Sequence, residues 1–167
     1  MRWILAALTG LSVTACAPTI MQVSMTPADQ AMASSMLEPG TASIRGSALL
    51  RQRGGGVVTC AGNEVYLLPA TESASQELRR IFGSDQGYVR RGGDASFGGG
   101  KLVAPPEPNR RTLCNAQGFF MFDRVRPGKW YIMTAVVWTA GDDYQGGTLL
   151  VTAEAQEGRE IEVVLTN

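Results

Sequence analysis

From position 41 onward, apolar and polar residues alternate with the period of two that marks a strand with one buried face. Thr41 to Leu50 places Ile44, Gly46, Ala48 and Leu50 on one side. Residues 51–56 form a glycine-rich turn, and Val57 to Cys60 a short strand. Asn63 to Pro69 sets Val65 and Leu67 against Tyr66 and Leu68. Phe119–Asp123, Trp130–Thr139, Thr148–Ala155 and Arg159–Thr166 complete the series, with turns at 126–129 and 157–158 and a loop at 141–147. Two segments carry helical signals instead. Thr26 is an N-cap with Pro27 at the first helical position and Asp29 at the third, followed by an apolar stripe of Ala28, Met32 and Met36 and a stop at Glu38-Pro39-Gly40. Ser73 to Phe82 carries Ala74, Leu78, Ile81 and Phe82 at helical spacing. Seven glycines and the run Pro105-Pro106-Glu107-Pro108 deny regular structure to residues 83–111.

Strands joined mostly by short turns predict an all-β, antiparallel, seven-stranded sandwich with one or two short peripheral helices. Its register turns Phe120, Phe122, Trp130, Ile132 and Val136 toward the core. The opposite parity holds Phe119, Met121, Tyr131, Met133, Ala135 and Val137, which is also apolar, so something must cover it. The two helices and the 83–111 insertion are the expected internal cover. A partner protein is the alternative, with Phe119, Met121, Tyr131, Met133 and Val137 as the candidate partner surface.

The N-terminus has a different pattern. Arg2 precedes an apolar run from Trp3 to Val13, which is too short for a span of about 20 residues and has the length of a signal peptide. The run ends Val13-Thr14-Ala15-Cys16. This resembles a bacterial lipobox; Val13-x-Ala15 also fits an ordinary signal-peptidase site. The lipobox resemblance implies cleavage before Cys16, a diacylglyceryl group on its thiol and an N-acyl chain such as palmitate on its new amino group. With Ala17 rather than Asp next, it also implies the outer membrane, facing the periplasm. The expected organisation is a signal peptide at 1–15, anchor, tether and helix at 16–40, and a sandwich domain at 41–167.

Arg2 is the one charged residue of 1–15, so the remaining 152 residues hold 14 Lys+Arg against 15 Asp+Glu, a net charge of −1. A near-neutral chain without a basic run is unsuited to nucleic acid. The chain has no histidine, which removes the commonest general base and metal ligand and argues against an enzyme. With Cys16 taken by lipid, Cys60 and Cys114 remain as an even pair, read as a disulfide. Neither belongs to a CxxC motif, so zinc and redox catalysis are disfavoured.

Gly118-Phe119-Phe120-Met121-Phe122 and Val125-Arg126-Pro127-Gly128-Lys129-Trp130, with Ile44-Arg45-Gly46 and Val65-Tyr66-Leu67-Leu68-Pro69 upstream, resemble the G-x-F-x-F…(V/L)-x-P-G-x-Y signature of carboxypeptidase regulatory-like domains. The resemblance covers about residues 41–70 and 112–166, with Trp130 where that family usually has Tyr, and implies a transthyretin-like sandwich. Enzymes of related fold use histidines: hydroxyisourate hydrolases, with a C-terminal Tyr-Arg-Gly-Ser, and intradiol dioxygenases, with two Tyr and two His on iron. Neither activity carries over to a chain without histidine that ends Leu165-Thr166-Asn167.

No catalytic residue, cofactor or metal site is assigned. Asp142-Asp143, near Asp123 or Glu154, lacks dedicated calcium-ligand spacing and reads as a turn. Glu154, Glu157, Glu160 and Glu162 read as solvated edge-strand charges. Two functions remain: a non-enzymatic binding or assembly module tethered in the cell envelope, with a protein partner, or a carbohydrate-binding accessory lipoprotein that stacks sugars on Trp138, Tyr88 or Tyr144. On either reading the chain reaches the membrane through lipid on Cys16.

Overall fold

The computed structural model describes residues 25–90, 105–141 and 143–167, with the Asp143 side chain excluded. The expected signal segment, the expected lipid attachment at Cys16 and Asp142 lie outside the described residues. Two helices and nine strands run in the order α1 (Pro27–Leu37), β1 (Ala42–Arg51), β2 (Val57–Thr59), β3 (Glu64–Pro69), α2 (Glu72–Phe82), β4 (Gly87–Arg90), β5 (Arg110–Leu113), β6 (Phe119–Val125), β7 (Gly128–Ala140), β8 (Asp143–Ala155) and β9 (Glu160–Leu165).

The strands form two sheets. In the first, β1 is flanked by β9 and by β6, with β2 pairing its far end; in the second, the order is β4-β8-β7-β3-β5. Between them lies the core: Ile44, Ala48, Leu50, Phe120, Phe122 and Leu165 from one sheet meet Val65, Leu67, Trp130, Ile132, Val136 and Leu149 from the other. The expected all-β sandwich and the inward parity of β1, β3, β6 and β7 are as observed. Three details differ. β1 and β9 run parallel, from Ser43 opposite Glu160 to Ala48 opposite Leu165, an exception to the antiparallel pattern. Two strands were not expected, β4 inside 83–111 and β5 across the end of that segment; each borrows its ladder from a longer neighbour, β8 or β3. The 141–147 loop is largely strand, because β7 and β8 stay in one unbroken register from Gly128 opposite Ala155 to Ala140 opposite Asp143.

Cys60 and Cys114 are bonded, with Cα atoms 5.8 Å apart. Cys60 follows β2 of the first sheet and Cys114 follows β5 of the second, so the bond staples the two layers where the chain crosses between them.

α1 begins at the expected Thr26 cap, and α2 begins at a Thr71 cap that the sequence reading did not name. The Asp29 amide donates to Thr26 Oγ1 at 3.1 Å, and the Ala74 amide to Thr71 Oγ1 at 3.2 Å. Of the apolar stripe assigned to α1 only Met36 packs on the core; Met32 and Ala28 are exposed, while Asp29 and Ala33 are buried. A carboxylate takes the inward place because it is fully satisfied there. It accepts the Glu72 and Ser73 amides at 3.2 and 3.3 Å and the Ser73 hydroxyl, so α1 caps the first turn of α2. The Ser73 hydroxyl contributes most to holding the Asp29 carboxyl below its usual range.

Candidate functional site

The structure separates the five residues of the candidate partner surface. Parity along a strand tells which face of its own sheet a residue occupies, and β6 and β7 belong to different sheets, so their outward faces point away from each other. On β7, Tyr131 and Met133 are buried with Leu68 and Leu150 beneath Leu78 of α2, so the expected internal cover is correct for this face. The Tyr131 hydroxyl donates to Ser75 Oγ of α2 at 3.0 Å, which satisfies the one polar atom placed there. Val137, further along β7, is half-buried. On β6, Phe119 and Met121 are exposed on the outer face of the other sheet. Ser47 stands between Phe119 and exposed Val164 in cross-strand register, beside Arg45, which pairs with Glu160 and Glu162 at 3.2 Å each. The single surface therefore does not exist.

A groove opens elsewhere, along the side of the sandwich where β4 and β8 approach the end of β9. It has a volume of about 490 Å³, within the ordinary range of small-molecule sites of about 300–1,000 Å³. Leu150, Val151, Val164 and Leu165 give it aliphatic walls. Tyr88 contributes the one aromatic ring, and Ser84, Gln86, Thr166 and Asn167 contribute neutral polar groups.

The turn 83–87 that bounds the groove is built from α2 outward. Gly83 ends the helix at φ 77°, a left-handed conformation that suits glycine, and its amide closes on the Arg79 carbonyl. Asp85 then points away from the groove and accepts from Lys129 Nζ at 3.0 Å and Arg79 Nη1 at 3.1 Å. Its carbonyl accepts the Thr152 hydroxyl of β8 at 2.7 Å. The Lys129 hydrogen bond is the main cause of a lowered Asp85 pKa, and Asp85 in turn raises that of Lys129. The turn is thus pinned to β7 and α2 by a carboxylate that is spent internally, and to β8 by the carbonyl of the same residue.

The next element positions Tyr88. β4 pairs with β8, Tyr88 opposite Leu149 and Arg90 opposite Gly147. Gly147 is required there: a Cβ would come within 2.1 Å of the Val89 carbonyl oxygen and 2.7 Å of Tyr88 Cε2. The ring therefore rests over a bare stretch of backbone, half-buried against the core, and burial raises its pKa. Among the described residues the Tyr88 hydroxyl and the Gln86, Thr166 and Asn167 side chains have no hydrogen-bond partner within the protein.

Of the other aromatics proposed as sugar platforms, Trp138 is half-buried against the core and Tyr144 is exposed near the β7–β8 turn; neither lines the groove. Among the described residues, no three acidic or cysteine side chains are gathered as a metal site would need. No helix of the described residues is long and apolar enough to cross a membrane. Sequence reasoning named Tyr88 but not Ser84, Gln86, Thr166 or Asn167. The only available signal was a cluster of amides and hydroxyls flanking two strand ends.

No protein-family model matches the sequence, and no curated protein matches it significantly. Among solved structures, the chain is similar to a Pseudomonas aeruginosa protein provisionally described as carbohydrate-binding. The match has a TM-score of 0.65 and 20% identity and covers 83% of this chain and 96% of that one. At that identity the likeness establishes a shared fold.

Proposed function

We propose that this chain is a non-enzymatic carbohydrate-binding module of the bacterial cell envelope, tethered by lipid on Cys16 and facing the periplasm. The observation that carries the ligand assignment is the groove beside Tyr88, in which an aromatic ring is surrounded by uncommitted amides and hydroxyls. That combination serves orientation and stacking, and it holds no pair of acid and base groups for hydrolysis. The carbohydrate-binding description of the Pseudomonas aeruginosa protein is consistent with it. The Cys60–Cys114 bond supports an oxidising compartment, and the lipobox resemblance supports the anchor. The finer fold assignment is a transthyretin-like sandwich of the carboxypeptidase regulatory-like kind, whose signature falls on β6, on β7 and on the turn by which the chain passes from one sheet to the other.

The test has two parts. The full chain, expressed with its signal and fractionated, enters the membrane fraction and carries acyl mass, and Cys16→Ser abolishes both. The oxidised protein screened on a glycan array binds carbohydrate; a blank array refutes the ligand reading. A second reading, a protein-assembly module, is favoured by exposed Phe119, Met121 and Val164 on the other sheet. It predicts that Phe119→Ser releases an envelope partner while leaving glycan binding intact.

A further inference from the structure

The charge distribution of the groove narrows the ligand, given the carbohydrate reading above. No charged side chain lines it. The carboxylate nearest in sequence, Asp85, sits between Ser84 and Gln86 yet is turned out of the groove and neutralised by Lys129 and Arg79. Those two cations are committed to Asp85, and Arg79 also reaches Glu72 at 3.9 Å, so neither is free to meet an incoming anion. Arg90, whose charge is felt at the Tyr88 hydroxyl, is exposed to solvent and does not line the groove, so a uronate, sialate or sugar phosphate entering the site would be desolvated against no lining counter-charge, which is costly.

A neutral pyranose has the opposite character. One face is a patch of C–H groups suited to an aromatic ring, and its rim carries hydroxyls that both donate and accept. Gln86 and Asn167 each offer two N–H donors and a carbonyl, and Thr166 offers a hydroxyl, which is the chemistry that a run of neighbouring hydroxyls uses. We infer that the groove selects uncharged oligosaccharides over acidic ones, with Tyr88 as the stacking platform and Gln86 and Asn167 as the orienting groups.

The experiment is calorimetric titration of the full oxidised chain with neutral oligosaccharides (gluco-, manno- and N-acetylglucosamine oligomers) and acidic ones (oligogalacturonate, oligomannuronate). Neutral sugars bind. Tyr88→Ala weakens them by about tenfold or more, the scale of a stacking anchor, while Tyr88→Trp retains binding. Gln86→Lys, at an exposed position where folding is not at risk, shifts preference toward the acidic sugars. Tighter binding of acidic than neutral sugars by the unaltered chain overturns the inference and leaves the carbohydrate reading standing. Neutral binding that is indifferent to Tyr88→Ala in a variant with unchanged circular dichroism also overturns it, by placing the sugar elsewhere. No sugar binding at all, with or without binding of an extended peptide, overturns both.

Discussion

Leu78→Ala tests the claim that α2, and not a partner, covers the apolar outer face of the second sheet. Leu78 is fully buried and packs with Leu68, Tyr131, Met133 and Leu150. Truncation removes three buried carbons, about 2.4 kcal/mol at roughly 0.8 kcal/mol each, and adds a cavity term that the surface helix only partly relieves. The expected loss is about 3 kcal/mol, equivalent to a Tm lower by roughly 10 °C. Urea unfolding followed by far-UV circular dichroism measures it: the midpoint falls while the slope stays constant, because the surface exposed on unfolding is nearly unchanged. Phe119→Ser, at a site 53% exposed on the other sheet, is the control and stays within about 0.5 kcal/mol of the parent. A loss below about 1 kcal/mol for Leu78→Ala refutes the reasoning, since a helix that packs as described cannot lose its central contact so cheaply.

Three further outcomes follow from the same structure. Replacing Cys60 and Cys114 together by Ala opens a loop of 54 residues and lowers stability by about 4 kcal/mol on the chain-entropy account, read as a shift in urea midpoint that dithiothreitol reproduces in the parent. Asp29 and Asp85 both have folded-state pKa values below the ordinary aspartate value, so the stability they contribute is complete above that value and is lost as pH falls through the lowered folded values; urea midpoints taken down to about pH 2 decline in that window, and Asp29→Asn with Asp85→Asn flattens the decline. Gly147→Ala forces a methyl group against the Val89 carbonyl, so stability drops by about 1–3 kcal/mol and β4 shifts, a change that amide exchange at residues 87–90 detects.

Much of the fold is written locally. The alternation of β1, β3, β6 and β7, the Thr26 cap and the helical spacing of Leu78 and Ile81 are short-range facts, and they predict the sandwich and its two peripheral helices. What escapes is decided at long range. Nothing near Ser43 indicates that it lies beside Glu160, and nothing in parity assigns β6 and β7 to different sheets, which is why the candidate partner surface was drawn as one patch. The α1 stripe failed for a chemical reason: pattern reading places carboxylates outside, whereas Asp29 is inside because α2 presents unpaired amides there. The Gly146-Gly147 stretch reads as loop by composition, yet it is strand in the β7–β8 ladder, and it is glycine because the β7 backbone crowds Gly146 while Tyr88 and the β4 backbone crowd Gly147. Of the groove, Tyr88 was legible as an aromatic; its companions come from three elements and meet only in the folded chain.

The parallel pairing of β1 with β9 has a consequence for how the molecule is born. β1 is a central strand whose neighbour on one side is β9, more than a hundred residues further along the chain. Ile161, Val163 and Leu165 also complete the packing over that strand. An N-terminal portion released alone thus has an open sheet edge and an unfinished core, and loop-closure entropy delays its rescue. The core stays incomplete until β9 has joined β1. A truncation before β9 is therefore a target for proteolysis rather than a smaller working domain.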